Sequence, residues 1–319
     1  MGSRPILGID IGGTKCAAAL GTPDGCVLSR VEMPTIAEKG SEDTLRRLVS
    51  VALTLVSSAA EAGTICGVGI SCGGPLDTRT GIVYSPPNLP GWEGVPVRAI
   101  FEEAFPGLPV VLENDANATA LAEWRWGAGR GARNVVYLTQ GTGIGGGLIL
   151  DGRLYRGTND LAGEVGHQTI LPDGPECGCG KRGCLEALAS GPSIARIARE
   201  RMRAGRGAAP APNVTARDVI EAAKAGDQLC RAVLEGAGVH MGIGLANIIQ
   251  ILNPERIILG TIAVHAGELI LASIRRTVAE RAWERARSVC SIVPAELGDR
   301  AQDLAAIALL AGEARREAE

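Results

Sequence analysis

The feature that most constrains the fold of this chain is a strand–turn–strand unit that occurs twice. Near its first occurrence, the apolar segment 6–11 leads into a Gly-Gly-Thr turn and a second apolar segment at 16–20. The segment 135–138 similarly leads into Gly-Thr-Gly and a returning strand at 146–150. A supersecondary unit that repeats in this way indicates a duplicated architecture, which commonly binds its ligand in a cleft between the halves. We therefore predict an α/β protein built from two related halves.

Apolar spacing and turn residues predict the remaining elements. The predicted helices cover 41–63, 116–126, 227–252, 267–284 and 301–317, and the further strands cover 27–31, 65–70, 109–112 and 256–259. The Gly-, Ala- and Pro-rich segment 204–213 is typical of a surface loop. These elements predict a small domain, residues 1–116 closed by the C-terminal helix 299–319, and a large domain, residues 117–298.

Composition limits the class of protein. A chain of 319 residues with a net charge of −3 is long enough for two cored domains and offers no strongly basic surface for nucleic acid. We expect its first strand to begin at Ile6 with no signal peptide before it, and no apolar run reaches the roughly 18–20 residues of a membrane span. We expect a cytoplasmic protein with no membrane or nucleic-acid partner. The basic run 196–206 is typical of a solvated helix face, and we expect His265 to face solvent.

Four metal-binding side chains lie within eighteen residues: His167, Cys177, Cys179 and Cys184. A closed Cys₃His set is typical of structural zinc, which is held tetrahedrally and leaves no open position for chemistry. Cys177 and Cys179 are too close in sequence to pair easily as a disulfide, and the total of nine cysteines is odd. We interpret the other six cysteines as reduced core residues. The acids that bracket the set, Glu164 and Glu186, remain available to hold a polar ligand.

The two Gly-Thr turns are candidates for binding phosphate. Glycine lets the backbone approach an anion, consecutive N–H groups point at it, and threonine adds a hydroxyl donor. Asp10, just before the first turn, could hold Mg²⁺ through water or could simply cap the turn at Gly12. Neither a Walker A motif nor a Gly-x-Gly-x-x-Gly motif opening a helix is present, which argues against a P-loop enzyme and against a dehydrogenase.

Asp115 follows a predicted strand and precedes a predicted helix. An aspartate there can be an N-cap. It can equally be a general base, because open α/β sheets bind ligands at the carboxyl ends of their strands. A carboxylate that accepts a hydroxyl proton fits phosphoryl transfer.

Taken together, five motifs resemble those of the ROK family, which contains sugar kinases and sugar-responsive repressors. In chain order they are Asp10-Ile11-Gly12-Gly13-Thr14-Lys15, Glu113-Asn114-Asp115-Ala116-Asn117-Ala118, Gly141-Thr142-Gly143-Ile144-Gly145-Gly146-Gly147, Gly163-Glu164-Val165-Gly166-His167, and Cys177-x-Cys179-Gly-x-x-Gly-Cys184-x-Glu186. The resemblance covers nearly the whole chain. It implies the two-lobed actin-like, ribonuclease-H-like ATPase fold.

The resemblance also implies a set of functional residues. Asp115 is similar to the base that deprotonates the sugar 6-hydroxyl. ATP and Mg²⁺ are expected at the glycine turns and after the late strand, at Asp10, Gly12, Gly13, Thr14, Lys15, Thr142, Gly143 and Gly260. The sugar hydroxyls are expected at Gly74, Asn88, Asn114, Glu164, His167 and Glu186. His167 would then use one ring nitrogen for zinc and the other for sugar.

The resemblance implies an ATP-dependent hexose kinase of glycolysis, most similar to zinc-containing bacterial glucokinases, and a homodimer or homotetramer. N-acetylmannosamine or another hexose could replace glucose, because a single hydroxyl contact decides between epimers. The alternative from another class is a sugar-binding regulator. It would need a DNA-binding helix-turn-helix, for which we expect no room before Ile6. One departure concerns the donor site: Thr261-Ile262-Ala263 stand where the family usually has glycines.

Overall fold

The computed structural model describes residues 4–58, 65–204 and 213–316. The chain forms two compact units. Unit 1 comprises residues 1–131, 154–162 and 296–319, and unit 2 comprises residues 132–153 and 163–295. Unit 1 is therefore assembled from both ends of the chain and a short central segment.

Each unit combines a sheet with helices. The strands are β1 (Ile6–Ile11), β2 (Lys15–Gly21), β3 (Val27–Pro34), β4 (Val68–Cys72), β5 (Leu76–Asp77), β6 (Ile82–Val83), β7 (Val110–Asn114), β8 (Val135–Gln140), β9 (Ile144–Leu150), β10 (Arg153–Tyr155), β11 (Arg256–Leu259) and β12 (Ser291–Pro294). The helices are α1 (Gly40–Ser58), α2 (Val97–Ala104), α3 (Asp115–Trp126), α4 (Leu185–Ala189), α5 (Gly191–Ala204), α6 (Ala216–Lys224), α7 (Gln228–Leu252), α8 (Ile262–Ala266), α9 (Glu268–Arg281), α10 (Glu284–Arg287) and α11 (Ala301–Arg316).

The two main sheets have the same topology. The first has the strand order β3-β2-β1-β4-β7 and the second has β10-β9-β8-β11-β12. In the first sheet β1 is antiparallel to β2 and parallel to β4. In the second, β8 is antiparallel to β9 and parallel to β11. The duplication predicted from the two glycine turns is therefore confirmed, and the order 3-2-1-4-5 in both sheets is that of the actin-like, ribonuclease-H-like ATPase fold.

Strand register decides which loops meet. Asp10 pairs with Ser71 across β1 and β4, and Ser71 pairs with Glu113 across β4 and β7. The carboxyl ends of these three parallel strands lie at one edge, where α/β sheets bind their ligands. In the second sheet Leu138 pairs with Leu259, so the β8–β9 turn and the segment after β11 share an edge in the same way.

Helix packing explains why unit 1 differs from the predicted small domain. Helix α3 packs against α11, and α11 covers β1 and β4. Close approach requires glycine in the sheet, because a Cβ at Gly69 would lie 2.0 Å from the backbone oxygen of Ala306. Residues 117–131 and 296–298 therefore group with unit 1 rather than with the predicted domain 117–298, and residues 154–162 also belong to unit 1.

In unit 2 the central element is α7, which packs against α9, α6, α5 and α4. By length and composition α7 could cross a membrane, but most of its apolar stretch is buried inside the protein. Its apolar character is accounted for by its place in the core of unit 2.

Several element boundaries differ from the predictions. β4 begins at Val68 rather than at residue 65, and the short elements α2 and β12 were not predicted. The predicted helix stop at Gly63, most of the predicted loop 204–213 and residue 317 lie outside the described residues. Of the six cysteines expected in the core, Cys16, Cys72 and Cys230 are buried, whereas Cys66 and Cys290 are half-buried and Cys26 is exposed.

Candidate functional site

In unit 1 the candidate catalytic residue is Asp115, the first residue of α3. The N-cap of this helix is Asn114, whose side-chain oxygen accepts hydrogen bonds from the backbone of Ala116 (2.9 Å) and Asn117 (3.3 Å). Asp115 does accept one bond, from the Ala116 N–H at 2.8 Å. Because Asn114 supplies the cap, Asp115 is not needed as one, and its side chain is exposed.

The electrostatics at this edge favour protonated carboxyls. Desolvation raises the pKa of Asp115, although water reaches the side chain, as expected for an acid in a recess. Asp10 is half-buried, and desolvation, followed by the charges of Asp115 and Asp303, raises its pKa to about 7. Neighbouring carboxylates with raised pKa values are typical of sites that exchange protons or bind cations.

Other predicted residues of unit 1 lie beside these acids. A Cβ at Gly74 would lie 3.1 Å from the Asn114 side-chain nitrogen, so the β4–β5 loop packs against the start of α3. A Cβ at Gly13 would lie 2.3 Å from the backbone oxygen of Asn88. Glycine is therefore required where the first turn contacts the Asn88 loop, which brings a predicted sugar residue next to a predicted phosphate turn.

Two predicted nucleotide residues of the first turn already have partners in unit 1. The ammonium of Lys15 forms an ion pair with Glu32 at 2.9 Å. The backbone oxygen of Thr14 accepts a hydrogen bond from the Thr35 N–H at 3.0 Å. Gly12 closes the turn by donating its N–H to the oxygen of Lys15 at 3.1 Å.

In unit 2 the structure brings the four predicted metal ligands together. The ligand atoms of His167, Cys177, Cys179 and Cys184 all lie within 4.8 Å of one another. Cys179 Sγ lies 3.7 Å from Cys184 Sγ, and Cys177 Sγ lies 3.6 Å from His167 Nδ1. Tetrahedral zinc requires about 3.8 Å between two thiolates and about 3.6 Å between a thiolate and an imidazole nitrogen. The donor set and its spacing fit zinc.

The orientation of His167 is compatible with two roles. Its Nδ1 atom faces Cys177, whereas its Nε2 atom lies 3.8 Å from a carboxylate oxygen of Glu164. That distance is too long for a hydrogen bond. A polar ligand could therefore be held by the Nε2 side of the ring and Glu164 while the other nitrogen binds metal.

Glu186 connects the cysteine cluster to the second glycine turn. One of its carboxylate oxygens lies 3.7 Å from Cys177 Sγ, and the other accepts the Ile144 N–H at 2.8 Å. A Cβ at Gly143 would lie only 2.6 Å from Glu186 Oε2. The predicted sugar residue Glu186 and the predicted phosphate turn are thus in direct contact.

A large pocket in unit 2 lies beside the same turn. Its volume is about 940 Å³, which is large enough for a nucleotide. The lining includes Gly141 and Thr142 from the turn and Thr261 and Ile262 after β11. Most of the other lining residues belong to helices α5 and α6. They are Gly191, Pro192, Ala195, Arg199, Val214, Thr215, Ala216, Arg217, Ile220, Glu221 and His265.

The segment that replaces the expected glycines is strained where it enters this pocket. Thr261 has φ 45° and ψ −94°, a conformation that costs a non-glycine residue on the order of 1–3 kcal/mol. Gly260, predicted to bind the nucleotide, is not a lining residue; a Cβ there would instead lie 2.7 Å from the Tyr137 hydroxyl. Close packing against Tyr137 of β8 therefore accounts for glycine at position 260.

Sequence reasoning missed several lining residues. Arg199 belongs to the basic run interpreted as a solvated face, yet it is half-buried and lines the pocket, as does the exposed His265. Thr215, the N-cap of α6, lines it as well. Helical periodicity placed Arg199 on a polar face, but it could not show that residues from distant parts of the chain form a pocket with that face.

Comparison with known proteins identifies the family. The sequence profile of the ROK family matches residues 6–313. A glucokinase of Thermotoga maritima is 37% identical over 281 residues, covering 86% of this chain and 87% of the relative. A xylose repressor of Caldicellulosiruptor bescii is 34% identical over 311 residues, covering 96% of this chain and 77% of the repressor. The chain belongs to the ROK family.

A solved structure agrees with this. The ROK family glucokinase of Streptomyces griseus, in complex with glucose and AMPPNP, is 34% identical and superposes with a TM-score of 0.78. The match covers 96% of this chain and 98% of that one. The fold expected from the sequence is therefore that of a solved kinase of the same family.

Proposed function

We propose that the protein is an ATP-dependent hexose kinase that transfers the γ-phosphoryl group to the 6-hydroxyl of glucose. The observation that carries the proposal is Asp115. It is an accessible carboxyl with a raised pKa at the carboxyl edge of its sheet, in a chain that glucokinases match over most of its length. Phosphoryl transfer asks the protein mainly to position the nucleophile and to neutralise charge, and both tasks suit this site.

The residues of unit 1 would act on the reacting hydroxyl. Asp115 would accept the 6-hydroxyl proton as the oxygen attacks phosphorus, and Asn114 would donate its side-chain amide to a sugar oxygen. A base with a raised pKa holds the proton more readily at the moment of transfer. Asn88 and the backbone of Gly74 complete the proposed sugar contacts from this unit.

The residues of unit 2 would fix the sugar and the donor. Glu164, His167 Nε2 and Glu186 would bind the remaining hydroxyls, and zinc on the Cys₃His set would hold their loop in place. Structural zinc has no open position, so it would take no part in the transfer. The adenosine of ATP would occupy the pocket lined by Thr142 and Thr261, next to the glycine turn that would bind its phosphates.

We expect the phosphoryl donor, ATP, to bind together with Mg²⁺. The residues fit it, because magnesium is typically held by one or two carboxylates, waters and phosphate oxygens. Asp10 has a pKa raised to about 7 by its desolvated, acidic surroundings, so a cation bound there would relieve that repulsion. When bound, the ion would neutralise charge on the phosphates. A homodimer or homotetramer and a role in cytoplasmic glycolysis remain predictions.

The test is an ADP-release assay across a panel of hexoses, including glucose, mannose, fructose, allose and N-acetylmannosamine. We expect glucose to give the highest kcat/KM. Asp115→Asn should lower kcat by roughly 10²–10⁴-fold while glucose binding, followed by calorimetry, stays measurable. Near wild-type turnover in this variant would rule out Asp115 as the base.

The second candidate is a sugar-binding regulator, favoured by the match to a xylose repressor over nearly all of this chain. A regulator binds sugar without transferring phosphate. Sugar binding in calorimetry together with no ADP release from any hexose would favour it and overturn the kinase.

A further inference from the structure

The segment 154–162 contains an arginine that contacts a buried glutamate close to Asp115 in the chain. Arg156 donates Nε–H to Glu113 Oε2 at 2.7 Å. Both residues belong to unit 1, although 43 positions separate them along the chain. Glu113 is completely buried and is the last-but-one residue of β7, two positions before Asp115.

The buried carboxylate of Glu113 also accepts hydrogen bonds from residues at the start of α3. Its other oxygen, Oε1, accepts the Asn114 N–H and the Asn117 side-chain N–H, both at 3.0 Å. Asn114 in turn caps α3 through Ala116 and Asn117. The residues on both sides of Asp115 are therefore held by one network that ends at Arg156.

Energetics make Arg156 necessary to that network. A buried carboxylate is stable only when it is paired and hydrogen-bonded, and removing its cation leaves an uncompensated charge in the interior. The junction of β7 and α3, which includes Asp115, would then have to move to bring Glu113 towards water. Arg156 also keeps its segment on unit 1 together with Asp160, which accepts bonds from the Thr78 backbone (2.8 Å) and hydroxyl (3.0 Å).

We propose that Arg156 is a positioning residue for phosphoryl transfer: through Glu113 it fixes the orientation of Asp115. This inference rests on the proposed function, since it assumes that Asp115 is the base. The ordinary alternative is an ion pair that stabilises the fold without affecting turnover. Both predict a lower melting temperature for Arg156→Ala, because Glu113 loses its cation, but they differ in kcat: a mispositioned base lowers kcat, whereas the loss of a purely structural contact leaves the kcat of the folded protein unchanged.

The first experiment is steady-state kinetics of Arg156→Ala beside Arg153→Ala, an exposed arginine three residues earlier, in β10. A displacement of about 1 Å at a reacting group can cost on the order of 100-fold. We expect kcat to fall by roughly 10-fold to 100-fold in Arg156→Ala, with KM for ATP unchanged. We expect Arg153→Ala to keep wild-type kcat. An Arg156→Ala variant with wild-type kcat overturns the inference.

Guanidinium rescue separates positioning from general stability. The Arg156 side chain is 39% exposed, so its removal leaves a site that water and small ions can enter. We expect millimolar guanidinium to restore part of the kcat of Arg156→Ala and to leave Asp115→Asn unrescued. Rescue of both variants, or of neither, counts against the proposed route through Glu113.

A double-mutant cycle tests the route itself. Glu113→Gln removes the buried charge, so Arg156→Ala added to it should cost much less kcat than in the wild type. Additive losses would overturn the coupling. If Arg156→Ala does not fold, the cycle is run with Arg156→Lys, which keeps the charge but not the Nε geometry; a wild-type kcat there would overturn the inference. A wild type that phosphorylates no hexose overturns the proposed function, whereas an active wild type with an unaffected Arg156→Ala overturns only this inference.

Discussion

At the scale of single residues, Asp10 shows how a desolvated carboxylate in a binding site can lower the stability of the folded protein. Its side chain stands at the carboxyl end of β1 with two further aspartates nearby, and its pKa is raised from 3.8 to about 7. Enzymes often hold such groups at a cost to the fold, because the arrangement that suits a substrate leaves like charges close together in the empty protein.

This cost gives a pH dependence with a defined sign. Between pH 3.8 and about 7 the folded protein binds more protons at Asp10 than the unfolded chain does, so stability falls as the pH rises through this window. Three pH units correspond to about 4 kcal/mol at most. Without nucleotide and magnesium, Asp10→Asn should therefore melt at a higher temperature than the wild type at pH 8, and this difference should be clearly smaller at pH 5, where only part of the destabilisation is present.

Thermal melts at the two pH values measure this, with the exposed Asp299→Asn as the matched control. The melting temperature of Asp299→Asn should change between the two pH values by the same amount as that of the wild type. Equal melting temperatures of Asp10→Asn and wild type at pH 8 would show that Asp10 is not desolvated as described.

At the scale of elements, the β8–β9 turn belongs to two proposed binding sites within three residues. Gly141 lines the pocket proposed for the nucleotide, and a Cβ there meets no atom within 4 Å. Gly143 instead faces Glu186, where a Cβ would come within 2.6 Å of its carboxylate. A substitution at Gly143 therefore cannot isolate the donor site, because it displaces a proposed sugar residue too.

The two glycines form a matched pair for mutation. Gly141→Ala adds a methyl group to the pocket without a protein clash, and we expect it to weaken ATP binding by about 1–3 kcal/mol with an unchanged KM for glucose. Gly143→Ala should raise KM for glucose, because Glu186 must shift away from Ile144. Steady-state kinetics with each substrate varied in turn distinguishes them; the same pattern in both variants would contradict the separation.

At the scale of the whole molecule, the candidate functional residues are distributed over two units with the same sheet topology. Unit 1 contains the acids Asp10 and Asp115, whereas unit 2 contains the Cys₃His cluster and the pocket. Zinc should therefore stabilise one unit only. The candidate ligands close a loop with few apolar residues, so a bound metal would replace the core that such a loop lacks.

Hydrogen exchange resolves this by segment. Metal analysis should find about one zinc per chain, and Cys179→Ser should lose it. Exchange should then accelerate at residues 163–190 and stay unchanged in β1, β4 and β7. Cys26→Ser, which alters an exposed cysteine outside the cluster, should match the wild type in both measurements. Accelerated exchange throughout unit 1 would contradict a local role for the metal.

Much of this protein was determined by local sequence. The range of β1 and the long helix α7 agreed closely with apolar patterning, and the paired Gly-Thr turns indicated the duplication that both sheets show. The candidate metal ligands could be singled out because three thiols and an imidazole so close together, with glycines between the thiols, are typical of a metal site and unsuited to a hydrophobic core; the structure brings their ligand atoms within 4.8 Å of one another. These properties depend on neighbours in the chain, which is why the sequence alone could specify them.

The tertiary structure decided which distant groups meet. Sequence left Asp115 open as a cap or a base, and only the bonds of Asn114 showed which residue caps α3. It placed Arg199 in solvent, whereas the fold puts this residue in the pocket wall. It did not single out Arg156, whose partner lies 43 residues away. Such contacts depend on strand register and helix packing between remote segments, and no local periodicity encodes them.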